Sequence, residues 1–172
     1  NSQGTSLIKD RPFTAEMTRS IMLLKEKPYR PRMADYRIGV FFTGREQLGE
    51  GAKTTVPVYY ANRWDIQPSD TAAYLRGEKV KPTKQIVFYI DNTFPEKWKP
   101  YLREGVTQWN ELFEQIGFKD VVAAKDFPTD DPEFDPDNIK YSCVRYAPSS
   151  IENAMGPSWV DPRSGEILNA SV

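Results

Sequence analysis

The 172-residue chain predicts an α+β fold: a mixed twisted sheet with one long amphipathic helix, preceded by a β-rich block. Three observations predict it. Gln85-Ile-Val-Phe-Tyr-Ile-Asp91 is a short run rich in β-branched and aromatic residues, and Lys119-Asp-Val-Val-Ala-Ala124 is a second apolar run. Between them, Glu96 to Ile116 has helical periodicity, with Trp98, Tyr101, Leu102, Val106, Trp109, Leu112, Phe113 and Ile116 recurring every three or four positions. That spacing puts these side chains on one face, and burying each contributes roughly 1.5–3 kcal/mol. Two strands joined by a helical crossover are expected to run parallel, with a right-handed connection.

Each element carries its own local signals. The helix is expected to start at a capping box, Thr93-Phe-Pro-Glu96, with proline in the first turn. It should stop at Gly117, where a left-handed residue is needed. Residues from Asn1 to about Ala15 are polar and read as a poorly ordered lead-in. The start at Asn1 rather than Met reads as a processed or excised product. Ser20-Ile-Met-Leu-Leu24 fits a buried strand or a helical turn, with strand favoured. Pro28-Tyr-Arg-Pro-Arg32 is not helical, because proline removes a donor and biases its neighbours toward extended geometry. Tyr36 to Phe42 reads as a strand, Thr43 to Lys53 as a charged loop, and Val56 to Asn62 as a strand. Ala72 to Gly77 fits one helical turn ended by its glycine, and Pro82 closes this block.

Beyond the central unit, Phe127 to Asn138 is a loop rich in Pro and Asp, and Ile139 to Ala147 alternates as a strand. Ala154 to Val160 and Glu166 to Val172 then flank Asp161-Pro-Arg-Ser-Gly165, a hairpin turn with Pro early and Gly last. The chain therefore divides into a β-rich block over 1–82 and a second unit over 83–172.

Composition excludes several function classes. Hydrophobic residues make up 39% of the chain and aromatics 13%, enough for a core. With 23 basic and 24 acidic residues the net charge is −1 and neither half is basic, which argues against a nucleic-acid partner. No apolar run approaches the roughly 18 residues a membrane span needs, and the first residues lack a signal-peptide core. The single cysteine, Cys143, forms no internal disulfide and reads as a small buried hydrophobe rather than a reactive thiol. There is no histidine, so a His-based zinc site, a Ser-His-Asp triad and a Cys-His dyad are impossible within the chain.

Four features are candidates for chemistry. Asp131-Pro-Glu-Phe-Asp-Pro-Asp137 reads as a solvated acidic loop or a cation site, and it fails the EF-hand template at its glycine and final glutamate. Arg30, Arg32, Asp35 and Arg37 read as surface or interdomain ion pairs. Trp98 and Trp109 fall on the helical stripe and read as core, while Trp64 and Trp159 are open between packing and a ligand platform. The last hairpin is the most informative. Asn153-Ala-Met-Gly-Pro-Ser-Trp159 combines small residues with a Gly-Pro pair, and proline confines it to a sheet edge or bulge. Such an edge is either blunted against aggregation or open to an extended peptide that pairs with its backbone.

The ordered set of pieces resembles the N-terminal subdomain of metzincin-type zinc metallopeptidases. More closely, it is similar to a group of large, mostly bacterial, zinc-dependent metallopeptidases long catalogued as domains of unknown function. The resemblance rests on Pro31-Arg32, Asp35-x-Arg37-x-Gly39, Arg63-Trp64, Tyr89-Ile-Asp91, Gly105-Val-x-x-Trp109-Asn110, Phe113-Glu114, Gly117-Phe118 and Asp161-Pro-Arg-x-Gly165-Glu-Ile. Pro31-Arg-Met-Ala-Asp35 also resembles the inhibitory switch of matrix metallopeptidase propeptides, but Met33 and Ala34 stand where that device needs its cysteine.

The resemblance implies a catalytic helix with H-E-x-x-H, whose two histidines bind zinc and whose glutamate acts as general base on the zinc-bound water. No residue here matches that motif. The resemblance then implies the non-catalytic front half of a peptidase, ending before the zinc-binding helix, with no cofactor of its own and zinc in the parent protein. The substrate-facing edge strand carries over to Asn153, Ala154, Met155, Gly156, Pro157, Ser158 and Trp159. Implied partners are a peptide or protein substrate and the C-terminal catalytic half of the same protein, and the implied location is secreted or in the cell envelope.

The chain alone is expected to be inactive and to bind no catalytic zinc. Apolar surface left uncovered should cause self-association or a disordered C-terminal hairpin. Two rival classes remain: an accessory peptide- or carbohydrate-binding module without catalysis, and a carboxylate enzyme such as a glycosidase with paired Asp or Glu, which nothing in the sequence positions and which alanine scanning of Asp91 and Glu114 would test.

Overall fold

The computed structural model describes residues 14, 17–49, 51, 53–149 and 153–172, so the expected lead-in at 1–15 lies almost entirely outside the described residues. The architecture is α+β, with three small sheets and one long, interrupted helix. Strands β1 (Phe42–Leu48) and β2 (Thr55–Ala61) form an antiparallel ribbon in the register Phe42↔Ala61 to Leu48↔Thr55. The strand expected at 36–42 begins only at Phe42 and runs through what read as a charged loop. Two local causes account for the shift. The Asp35 carboxylate accepts from the Arg37 N–H at 3.0 Å, forming a turn that takes 36–38 out of the strand. Gly44 then leaves room for the Tyr59 ring, which would stand 3.1 Å from a Cβ there.

The strand expected at 20–24 is absent. Ile21 and Leu23 are each 98% exposed, and an apolar run that buries nothing has no sheet to join. Helix α1 (Thr71–Leu75) does form, capped by the Asp70 carboxylate on the Ala73 N–H and ended at Gly77 with φ of 85°.

Strand β3 (Ile86–Ile90) pairs parallel with β4 (Val122–Asp126), Ile86 opposite Val122, and with β5 (Ser142–Val144), Phe88 opposite Ser142. The crossover from β3 to β4 is helical, as the periodicity predicts. It comprises α2 (Lys99–Thr107) and α3 (Asn110–Gln115), separated by a turn at Gln108 and Trp109. The capping box does not form: Thr93 donates its N–H and hydroxyl to Asp91, and Trp98 takes the N-cap position without a side-chain bond. Gly117 stops the helix at φ of 88°. Strand β4 starts later than the apolar run implies, because Asp120 turns with φ of 54° and Lys119 donates to the Val80 carbonyl.

The eight-residue stripe does not act as one buried face. Leu102, Val106 and Phe113 are half-buried toward the sheet, whereas Trp98, Tyr101, Trp109, Leu112 and Ile116 are exposed. The turn at 108–109 interrupts the helix, and α2 is the part that packs on β3 and β4. The core instead gathers Ala73, Val80, Ile86, Phe118, Val121 and Val122; Trp64 and Phe88 pack against it and lie edge-to-face with each other at 6.4 Å between centroids. The first block thus supplies Ala73 and Val80 to this core, and Trp64, Ile66 and Tyr74 pack against it.

Strands β6 (Ser158–Asp161) and β7 (Glu166–Ala170) form the expected hairpin, closed by Gly165 at φ of 73°. The hairpin is ordered against its neighbours. Val172 donates to the Cys143 carbonyl at 2.9 Å and Arg145 donates to the Val172 carbonyl at 2.7 Å, so the chain after β7 runs parallel beside β5. On its other flank, Arg63 donates to Gly165 and accepts from Ile167, which ties the first block to the same hairpin.

Candidate functional site

Strand β6 lies at the outside of this arrangement, pairing with β7 antiparallel from Ser158↔Ala170 to Asp161↔Glu166 and with a bulge after Trp159. Among the described residues, no backbone group pairs with its outer edge. Of the substrate-edge residues expected from sequence, only Ser158 and Trp159 enter the strand. Asn153, Ala154, Met155, Gly156 and Pro157 precede it as an exposed stretch outside any ladder, anchored where Ser171 donates to the Pro157 carbonyl at 3.0 Å. Proline and the preceding Gly156 explain that departure, since Pro157 has no N–H to contribute.

Trp159 is the member of this set that meets a cavity. A space of about 430 Å³ opens over the β6–β7 face, lined among others by Trp159, Asn169, Ser171, Tyr141, Arg145 and Asp137. Asn169 is 3% exposed and donates to the carbonyls of Ile139 and Tyr141, which fixes the loop wall. Arg145 pairs with Asp137, so the opposite wall carries both charges in contact. Ser20 reaches the same wall, its hydroxyl donating to the Asp137 carbonyl at 3.2 Å. The alternation over Ile139 to Ala147 puts Tyr141 and Arg145 on one face but implies no role for them, and nothing in it points to Asn169. Its signal is a polar side chain among Ile167, Leu168 and Ala170.

The turn of the hairpin is held by charge. Asp161 is 2% exposed and its carboxylate accepts from the Arg163 guanidinium and N–H, at 2.7 Å for the shortest contact. The Arg163 side chain beside Asp161 holds the carboxyl below its usual range against the opposing effect of burial. Lys25 bridges Glu166 at 2.7 Å and Asp65 at 2.9 Å, and those bonds raise its pKa. These groups are structural clasps, each occupied by its partner.

The remaining candidates separate in the same way. In the acidic loop, Asp131 and Asp135 accept from the N–H groups of Glu133 and Asp137, so two of its carboxylates close turns. Burial opposes ionisation of Asp91, but bonds from Thr93 and from the Tyr146 N–H hold its carboxyl below the usual range. Glu114 pairs with Lys79 at 2.6 Å, so Asp91 and Glu114 each serve a different contact. Cys143 is fully buried and burial pushes its thiol up to about 11. Asp35 pairs with Arg37, whereas Arg30 and Arg32 make no ion pair among the described residues, contrary to expectation.

Zinc, implied by the resemblance, needs three or more His, Cys, Asp or Glu donors converging on one point. The chain has no histidine, and among the described residues no such group converges. The described residues do not fit a zinc site.

A family model described as Domain of unknown function (DUF5117) matches residues 1–69, which end before α1 and the β3–α2–α3–β4 unit. No curated protein and no solved structure matches the chain. The chain is similar, over its first 69 residues, to that family of unknown function.

Proposed function

We propose that this chain is the non-catalytic front part of a zinc-dependent peptidase, holding an extended peptide along the outer edge of β6. The observation that carries the reading is strand β6, paired with β7 on one side and unpaired on its outer edge among the described residues, beside a cavity lined by Trp159. A peptide added to such an edge gains main-chain hydrogen bonds, and a neighbouring cavity selects among its side chains. Trp159 supplies a broad apolar surface and Asn169 a rigid floor. In this reading the histidine ligands and the general base of an H-E-x-x-H helix come from the catalytic half, since the chain has no histidine. The catalytic half of the same protein and a peptide or protein substrate are its partners in this reading, and secretion or the cell envelope its setting.

The test has two arms. Titrating the chain with an extended, uncharged peptide should shift the amide resonances of Ser158 to Asp161 and quench Trp159 emission in a saturable way. A Trp159→Ala variant should lose the cavity contribution, weakening binding about tenfold. The chain should also leave a casein-like substrate intact and carry no zinc by elemental analysis. Peptide that perturbs other surfaces but leaves β6 unchanged overturns the edge assignment, and stoichiometric zinc with hydrolysis overturns the non-catalytic one.

A further inference from the structure

A second cavity, of about 500 Å³, is lined by Tyr29, Arg30, Pro31, Arg32, Arg63 and Gln67. Three of these six residues are arginines and none is acidic. We infer that this cavity is a binding site for a small oxyanion, a phosphate or a carboxylate group, recognised by Arg30, Arg32 and Arg63.

The wall is built before any ligand arrives. Ala61 donates to the Arg32 carbonyl at 2.9 Å and Ala34 to the Tyr59 carbonyl at 2.8 Å, so the segment around Pro31 lies extended along β2. In an extended segment, positions two apart share a side, which sets Arg30 and Arg32 together. Pro31 between them has a fixed φ and stiffens that geometry. Arg63 comes from the end of β2 and is clamped, donating from Nη1 to the Tyr29 hydroxyl at 3.1 Å and from Nη2 to the Arg30 carbonyl at 2.8 Å. Its guanidinium also lies 4.6 Å from the Tyr29 ring centroid.

The charge balance favours an anion. A guanidinium has five N–H donors, and the two bonds to Tyr29 and Arg30 leave others unused. Arg63 Nε is buried without a partner among the described residues, which marks a cationic group whose surroundings under-supply acceptors. The nearby carboxylate of Asp65 is taken by Lys25 and by the Gln67 amide, each at 2.9 Å. Arg30 and Arg32 are exposed and unpaired among the described residues, so their forks are available to a bidentate oxyanion. None of these three guanidinia forms an ion pair among the described residues, whereas Arg37, Arg76, Arg103, Arg145 and Arg163 each pair with a carboxylate; Arg19 and Arg45 are also without an ion pair, but neither lines a cavity with other arginines.

The test uses the whole chain at low ionic strength, titrated separately with inorganic phosphate and with acetate. Saturable shifts of the Arg63 Nε–H and Gln67 side-chain resonances are expected with at least one of them. Response to phosphate alone assigns a phosphate site, to acetate alone a carboxylate site, and to both a general oxyanion site. An Arg30→Gln, Arg32→Gln double variant should bind at least tenfold more weakly while keeping its thermal midpoint, because both side chains are exposed. If that variant does not fold, Arg32→Gln alone should show a several-fold loss. Absence of saturable shifts at Arg63 and Gln67 with both anions, or unchanged binding in the variants, overturns the inference.

Discussion

The side-chain amide of Asn110 and the peptide group of Val122 bind each other in both directions: Nδ2 donates to the Val122 carbonyl at 2.8 Å, and Oδ1 accepts from the Val122 N–H at 2.8 Å. The same oxygen accepts from the Val121 N–H at 2.9 Å. One residue at the start of α3 therefore satisfies backbone groups of Val122, the first residue of β4, and of the completely buried Val121 just before it. Replacing it should leave buried donors unpaired, each costing about 1–3 kcal/mol. Asn110→Ala is expected to destabilise the chain by about 2–3 kcal/mol in urea unfolding, and Asn110→Asp to do little better, since it loses the donor to Val122.

Gly165 makes an equivalent junction between the two blocks. Its positive φ of 73° alone costs a substituted residue about 1–2 kcal/mol, and a Cβ would sit 2.6 Å from the Ala61 carbonyl oxygen. Gly165→Ala should therefore cost more than that backbone penalty, and amide exchange should accelerate at both Arg63 and Ile167, whose bonds cross the same junction.

The pH profile of stability follows from the clasps. Folded Asp161, Asp65 and Asp91 titrate below their ordinary value of 3.8, so their stabilisation is full above 3.8 and is lost as pH falls through the lowered values. Lys25 titrates above 10.5 and Cys143 near 11 rather than 9.0, so their contribution is full below the ordinary values and lost as pH rises through the folded ones. With no histidine in the chain, chemical denaturation midpoints should be flat from about pH 5 to 9 and fall on either side. A step near pH 6.5 would contradict this.

Cys143 gives a direct probe of the core. Its thiol is buried, and its Sγ lies 3.7 Å from the Tyr141 carbonyl oxygen. Thiol reagents at pH 8 should react with the native chain at the rate of global or local opening only, and at full speed in denaturant.

Trp98, Tyr101, Trp109, Leu112 and Ile116 together leave an apolar stripe along α2 and α3 exposed. Exposed stripes of this kind associate. Sedimentation should show concentration-dependent association, relieved by Trp109→Lys together with Leu112→Lys and unaffected by changes at Asn153 or Met155.

The sequence by itself determined the parts set by local periodicity and backbone chemistry. The β3–helix–β4 unit, the stop at Gly117, the helical turn before Gly77 and the hairpin around residues 161–165 all depend on residues close together in the chain. Tertiary structure decided what those parts face. Eight apolar side chains at helical spacing specify a stripe, but only tertiary packing determines that Leu102, Val106 and Phe113 are covered and Trp98 and Trp109 are not. Likewise, small residues and Pro157 pointed to an edge, while the cavity beside Trp159 required Tyr141, Arg145 and Asn169 from other segments. The oxyanion cavity needed Arg63, just beyond β2, to meet the extended segment around Pro31. Burial and convergence arise from pairs distant in sequence, and one-dimensional spacing carries no record of which pairs meet.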